Sequence, residues 1–452
     1  MPRPRRSLAF RLARLLAWRA RRYGQHLPFQ IWQRRAATLA GAVLLALAAL
    51  ALAQLGDIAQ RTFDHLARVH PYVPLLLCPM GFVAVAYLTQ RLAPDAVGSG
   101  IPQVIAATRD PNRATRSPLV SLRTALAKFV LTLGMLLCGG SVGREGPTVQ
   151  IGAAVMVAAH KRLRVAISSG VLIAGGAAGV AAAFNTPLAG VAFAIEELAA
   201  AYEQRVALIV MGAVMIAGFV SLGVAGDYVY FGVAGQLVSF QGGLLVAPVA
   251  GIVGGVLGGL FARGLLRAPA HIERRIGHVQ HWRLWLAGGC GLVIALSGLA
   301  TAGASWGTGY EATRTLMSGG DVGWSFGPLK LLATLATGLS GTPGGIFAPS
   351  LAVGAGLGQL LSALFTSQPA GAIILLGMAG YFVGVVRAPL TAVIIITETT
   401  ASRGMIVPLF MTALIADAVS AAVHRERLYH ALSKGFLSSG PPAKSDEPAP
   451  PR

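Results

Sequence analysis

Gly143-Arg144-Glu145-Gly146-Pro147, followed by Gly152, lines up with Gly345-Ile346-Phe347-Ala348-Pro349, followed by Gly354, at an offset of 202 residues. The same offset carries Pro187-Leu188 onto Pro389-Leu390, Val191 onto Val393 and Glu196 onto Glu398. Four landmarks agreeing at one separation define an internal repeat, so the chain reads as two structurally similar halves. Repeated halves that face each other in a membrane usually hold their binding site at their contact, which points to a transporter or channel.

Composition agrees with a membrane setting. Of 452 residues, 54% are hydrophobic and 12% charged, with a mean hydropathy of +0.65, far more apolar than a soluble enzyme of this size. Runs 36–55, 72–92, 121–139, 206–224, 244–265 and 284–301 approach the ~20 residues that a spanning helix needs. Irregular backbone at membrane depth is tolerated only inside protein or beside a water-filled cavity, so the Gly-rich breaks at 139–147 and 338–349 are expected to line one. The 57 glycines suit close helix packing.

The net charge of +20 is read as a topology signal. Residues 1–35 hold ten Arg and no Asp or Glu, further basic stretches fall at 109–123, 160–164, 263–283 and 424–434, and 225–241 has no Lys or Arg. By the positive-inside rule, both termini and these loops lie in the cytoplasm. The arm reads as a basic amphipathic helix beside the membrane rather than a signal peptide or a nucleic-acid-binding segment. The expected organisation is a basic arm (1–35), a first membrane repeat (36–225), a second (242–438) and a disordered tail (439–452) with no soluble regulatory domain after it. Cys78, Cys138 and Cys290 sit in apolar runs without metal spacing, so they read as buried fillers, and no metal or cofactor is expected.

Three breaks present glycine-rich backbone: 98–102, 143–147 and 344–349. In the last two an apolar run resumes at once, so each break is expected to open a helix near the bilayer centre. Helix N-termini carry unpaired N–H donors and a partial positive charge, which suits an anion. A full positive charge would hold the ion too firmly for turnover. Any one break alone is as well explained by packing; the matched pair favours an anion site. Glu145 is an acid at such a helix start, where an ionisable group costs ~2.5–3.5 kcal/mol or more and is functional by default. It can occupy the anion's place and leave when protonated; the competing reading is a salt bridge with Arg144.

Glu196 and Glu197 close the run 187–195. One acid is expected to face the interior while the other caps toward the loop or pairs with Arg205; the competing reading leaves both solvated. Glu196 matches Glu398, which suggests a shared structural role, whereas Glu197 falls opposite Thr399 and is the candidate for a special task. Ser99 and Tyr429 are hydroxyls able to donate to a partly dehydrated anion, though each also suits a turn or an interface anchor. Two GxSxG matches, 139–143 and 303–307, lack a strand-turn-helix context and are read as accidental.

These residues resemble the CLC family of chloride channels and proton-coupled chloride transporters. The resemblance rests on GSGIP at 98–102, GREGP at 143–147, AAFNTPLAG at 182–190 with Glu196-Glu197, GGIFAPS at 344–350 and Tyr429. It implies an all-α integral membrane fold of two inverted-topology repeats, about eighteen tilted and broken helices, and a homodimer with one pore per subunit. It implies that Ser99 and Tyr429 offer hydroxyls to a central chloride beside the backbone N–H groups of Ile346 and Phe347. Glu145 would be the gating glutamate, at an outer site to which amides of Arg144 to Gly146 and Ile346 to Ala348 contribute. Glu197 would be the inner proton glutamate, typical of exchangers. The partners expected are therefore chloride, protons and the lipid bilayer of a bacterial inner membrane, with no nucleic acid and no enzymatic reaction. Ser99 favours chloride over nitrate, and the fluoride-specific branch departs from GSGIP. Gln103 stands where many members carry an acid, removing acidic support for the inner proton route from that helix. Exchange of chloride for protons is the expected function; a voltage- or pH-gated passive chloride channel is the alternative, and a non-transporting membrane enzyme or scaffold is a third class.

Overall fold

A computed structural model describes residues 26–111, 118–199, 204–226, 231–232 and 238–438. Most of the basic arm and the tail 439–452 lie outside the described residues. Seventeen α-helices are described: α1 His26–Val69, α2 Val73–Leu92, α3 Ile101–Arg109, α4 Leu122–Leu137, α5 Glu145–Arg162, α6 Ser169–Phe184, α7 Pro187–Phe193, α8 Gln204–Ala225, α9 Phe240–Ile276, α10 Trp282–Ala300, α11 Tyr310–Met317, α12 Phe326–Leu339, α13 Phe347–Ser362, α14 Ala370–Val386, α15 Pro389–Thr400, α16 Ile406–Val423 and α17 Leu428–Ser438. No strand occurs among the described residues, only two isolated β-bridges.

Among the described residues, six helices are long and apolar enough to cross a membrane: Phe29–Val69, Val73–Leu92, Ala207–Ala225, Gln241–Ile276, Trp282–Ala300 and Ile406–Val423. The run 121–139, expected to span, folds instead as the 16-residue α4 with Lys128 fully buried in its middle. Conversely, Ile406–Val423 is a span that was not expected. At ~1.5 Å per residue, the 44-residue α1 is roughly 66 Å long, about twice the hydrocarbon thickness, so it tilts or projects.

Helices apolar on every side belong inside a membrane protein's core. In α6 every residue from Gly170 to Phe184 is buried, and α14 is buried almost throughout. Close approach is made possible by glycine. A Cβ on Gly175 would meet the Gly152 carbonyl and Ala153 of α5; one on Gly377 would meet the Gly354 carbonyl and Gly358 of α13. Gly152 and Gly175 become Gly354 and Gly377 at the repeat offset, so both halves use the same glycine contact.

The helix ends repeat too. Glu145 and Phe347 open α5 and α13, and Pro187 and Pro389 open α7 and α15. Asn185 and Arg387 end α6 and α14 in the left-handed conformation, at φ +56° and +63°. Glu398, near the end of α15, accepts from the Leu188 and Ala189 N–H groups at the start of α7 (3.3 and 2.9 Å). Glu196, just past the end of α7, accepts from Leu390 and Thr391 at the start of α15 (3.1 and 2.8 Å). Each acid satisfies donors that a helix start leaves open. Two helices that cap each other's beginnings run antiparallel, as inverted halves require.

A second matched pair was missed in the sequence. Lys128 on α4 and Lys330 on α12 are 202 residues apart and both fully buried. Lys128 Nζ donates to the carbonyls of Ala96 and Gly98, both at 2.7 Å; Lys330 Nζ donates to those of Ser305 (3.0 Å) and Gly307 (2.7 Å). Each ammonium ties down the loop before a short helix, α3 or α11. Both loops place two glycines at positive φ: Gly98 and Gly100 (+63° and +102°), Gly307 and Gly309 (+61° and +84°).

Candidate functional site

The starts of α5 and α13 meet at the centre of the molecule. The Gly143 N–H donates to the Gly345 carbonyl at 2.7 Å, and the Gly345 N–H returns a bond to Gly143 at 2.8 Å. These are equivalent residues of the repeat, so the pseudo-two-fold axis runs between them. The third break joins through Gly98, whose N–H donates to the Thr342 carbonyl (3.1 Å) and whose carbonyl accepts from Gly344 (3.0 Å). Only glycine fits at 100, where a positive φ coincides with close approach to the Gly146 carbonyl and Gln150. The three breaks thus bring Ser99, Glu145, Gly146, Ile346, Phe347 and Ala348 into one neighbourhood.

Glu145 is completely buried. Its Oε1 accepts a hydrogen bond from the hydroxyl of Tyr310 at the start of α11. Its Oε2 lies beside Gly143, and the carboxylate meets the backbone N–H of Ala348 in the first turn of α13. The carboxylate therefore sits at the electropositive end of the helix from the opposite half. It does not pair with Arg144. That guanidinium bonds Asp57 at 2.8 Å and the Ala53 carbonyl, and lies 5.4 Å over the Tyr310 ring. Arg144, Tyr310, Thr308, Asp57, Asp64 and Glu311 line a cavity of about 390 Å³.

A second cavity of about 180 Å³ is lined by Ser99, Ile346, Tyr429, Gln103 and Gly345. Ser99 Oγ and Tyr429 OH are both buried and lie close to each other, with no further hydrogen-bond partner among the described residues. A pair of hydroxyls that share at most one bond between them leaves donor capacity open to the cavity. Tyr429 is wholly buried on α17, its ring 5.9 Å from that of Phe347. Phe347 also packs edge-on to Phe193 (5.9 Å) and Phe382 (4.9 Å), holding its backbone in place. Gln103 is structural: its amide donates to the carbonyls of Asp95 (3.1 Å) and Val97 (2.7 Å).

Glu196 and Glu197 sit on a π-helical turn, Ala194–Leu198, that follows α7. The turn sends them to different tasks. Glu196 caps α15 as described, not the loop that follows it; the side chain of Arg205 lies outside the described residues. Glu197 is buried, and neither of its oxygens has a hydrogen-bond partner. Its Oε1 lies 3.3 Å from Nδ1 of His430, the residue after Tyr429. The Tyr429 hydroxyl is within electrostatic range of both Glu145 and Glu197. Sequence reading missed Tyr310 and His430. Tyr310 was discoverable: it follows Gly307-Thr308-Gly309 as Ile101 follows Gly98-Ser99-Gly100, though at an offset of 209 rather than 202. Among the described residues the serine hydroxyls of the two GxSxG matches bond to threonines, Ser141 to Thr334 and Ser305 to Thr301.

The chain is also similar to known proteins. The family described as voltage gated chloride channel matches residues 80–421. The H(+)/Cl(-) exchange transporter ClcA of Yersinia pestis bv. Antiqua (strain Angola) is 34% identical over 416 residues, covering 84% of this chain and 82% of that one. Among solved structures, a slow cyanobacterial Cl-/H+ antiporter superposes with a TM-score of 0.77 at 23% identity, covering 90% of this chain and 98% of the other. A CLC-type fluoride/proton antiporter superposes with a TM-score of 0.74, also at 23% identity, over 87% and 96%. The structural likenesses bear on the fold alone.

Proposed function

We propose that this chain, which belongs to the voltage gated chloride channel family and is a multi-pass membrane protein, exchanges chloride for protons. One observation carries the reading: a buried carboxylate, Glu145, rests on the first turn of α13, where an anion is favoured. While ionised, Glu145 holds that place against chloride. Protonation removes the charge and the competition, so the side chain yields the position and carries its proton with it. The resident chloride is held by donors that bear no full charge: the hydroxyls of Ser99 and Tyr429, and the backbone amides at 346–348 and 144–146. Such donors let an ion leave as readily as it binds.

Coupling requires a second proton station on the far side of the anion, and Glu197 has the properties for it: buried, acidic and facing His430. A passive channel has no use for such a group. The relatives named as exchangers support this choice, and the charge asymmetry supports an inner membrane with both termini in the cytoplasm. By the same resemblance the assembly is a homodimer with one pore per subunit. Purified protein in liposomes tests the function: given a chloride gradient, it should drive protons against their own gradient. Chloride flux with no accompanying protons would refute exchange. In the same assay Glu145→Gln should keep chloride flux and lose proton movement.

A further inference from the structure

Glu197 is buried, so a proton reaching it needs a carrier that touches both the acid and water. The helix that begins at Ile101 brings none, because Gln103 is spent on backbone carbonyls. His430 meets the requirement. Its side chain is 34% exposed, while its Nδ1 is buried, without a hydrogen-bond partner, and 3.3 Å from Glu197 Oε1. One edge of the ring is wet and the other faces the acid.

We propose that His430 is the proton carrier between water and Glu197, a role that rests on the exchange reading above. The neutral ring, protonated on Nδ1, takes a proton from water at Nε2 to become imidazolium. It then passes the Nδ1 proton to the Glu197 carboxylate. The products are a neutral carboxylic acid and a neutral imidazole protonated on Nε2, and exchange with water resets the tautomer. The reverse order carries protons outward. Imidazole suits the task because its two ring nitrogens let it accept a proton at one edge while releasing one from the other.

Other groups near the ring do not replace it. Glu196 on the same π turn is committed to α15, and Arg427 donates to the Glu196 carbonyl at 3.2 Å. Lys434 hydrogen-bonds Glu426 at 3.0 Å, and holds that exposed carboxyl below its usual range, so it stays ionised near neutral pH. Partial burial, with the positive charge of Arg267, pushes His424 down. From the elements packed against α17, the remaining charged or titratable groups are Arg109 on α3; Arg263, Arg267, His271, Glu273, Arg274 and Arg275 on α9; and Tyr381 on α14. None of these is an ion-pair or hydrogen-bond partner of Glu197 among the described residues.

The test uses full-length protein in liposomes, reading chloride and proton fluxes in parallel across pH 5 to 8. His430→Ala and His430→Gln should slow proton movement by about 10-fold or more and flatten its pH dependence, while chloride binding by calorimetry stays at the wild-type value. Added imidazole should restore proton flux to the Ala variant. Wild-type proton rate and pH profile in both variants would overturn the assignment while leaving exchange intact. So would a loss of chloride binding in both variants that imidazole does not relieve, because it would mark a packing role. Wild-type protein that moves no protons overturns both readings together.

Discussion

Tyr310→Phe is the cleanest perturbation of the gate. The phenol donates to Glu145 Oε1, while its ring lies under Arg144 and 5.4 Å from the ring of Phe231. Phenylalanine keeps both ring contacts and deletes only the donor. A hydrogen bond to a charged group contributes about 1.5–3 kcal/mol, a factor of roughly 10 to 150 in the equilibrium between the seated and displaced carboxylate. Chloride must compete with the seated carboxylate, so its apparent Kd is the intrinsic value multiplied by one plus that equilibrium constant. Where seating dominates, the deletion lowers the apparent Kd by the same factor, so tightening of about 10-fold is the least expected. Chloride titration calorimetry on detergent-solubilised protein at fixed neutral pH measures it. The double variant with Glu145→Gln should show a much smaller effect of Tyr310→Phe, because a neutral amide gains less from the phenol. Unchanged chloride affinity in the single variant would refute the claim that Tyr310 holds the carboxylate in its seat.

Gly345→Ala places a Cβ 2.9 Å from the Gly143 carbonyl, 3.0 Å from the Gly146 nitrogen and 3.1 Å from Pro147 Cδ. All but the last are backbone, so the two helix starts must separate; a cost of about 1–3 kcal/mol and weakened chloride binding by calorimetry are expected. Lys128→Met leaves the buried carbonyls of Ala96 and Gly98 without their donor and should lower stability by about 3 kcal/mol, read as a fall in Tm in detergent. Lys330→Met should cause a similar fall, and a large difference between the two would argue against equivalent roles. Glu398→Gln removes the charge at the start of α7 but keeps an acceptor, so a loss of about 0.3–1 kcal/mol with unchanged ion flux is expected.

What was legible in the sequence is what residue identity forces on the backbone locally. Proline opens α7 and α15, glycine admits the close approach of α5 to α6, and a single offset registers the two halves without knowledge of their contacts. Glu196 and Glu398 were legible as a pair for the same reason. The partners of each pair were not, because a cap donated across more than 190 residues leaves no local trace. Lys128 and Lys330 share the offset but lie in runs scanned for hydrophobicity, where one lysine reads as an interruption. Tyr310 was hidden by a change of offset, and His430 by a contact set up through the π turn, which no spacing rule for α-helices anticipates.

The mutual bonds between Gly143 and Gly345 have a mechanical consequence. A transporter that alternates by rocking one repeat over the other needs its seam to part where the cargo sits. Here the seam is stitched by main chain at that very place, and fastened again by two carboxylates that each clasp the other half. Parting it would forfeit all of these bonds in every cycle. On the proposed exchange reading, the stroke is confined to side chains swinging within a fixed frame, and the distance an ion travels past that frame is set by the reach of one glutamate.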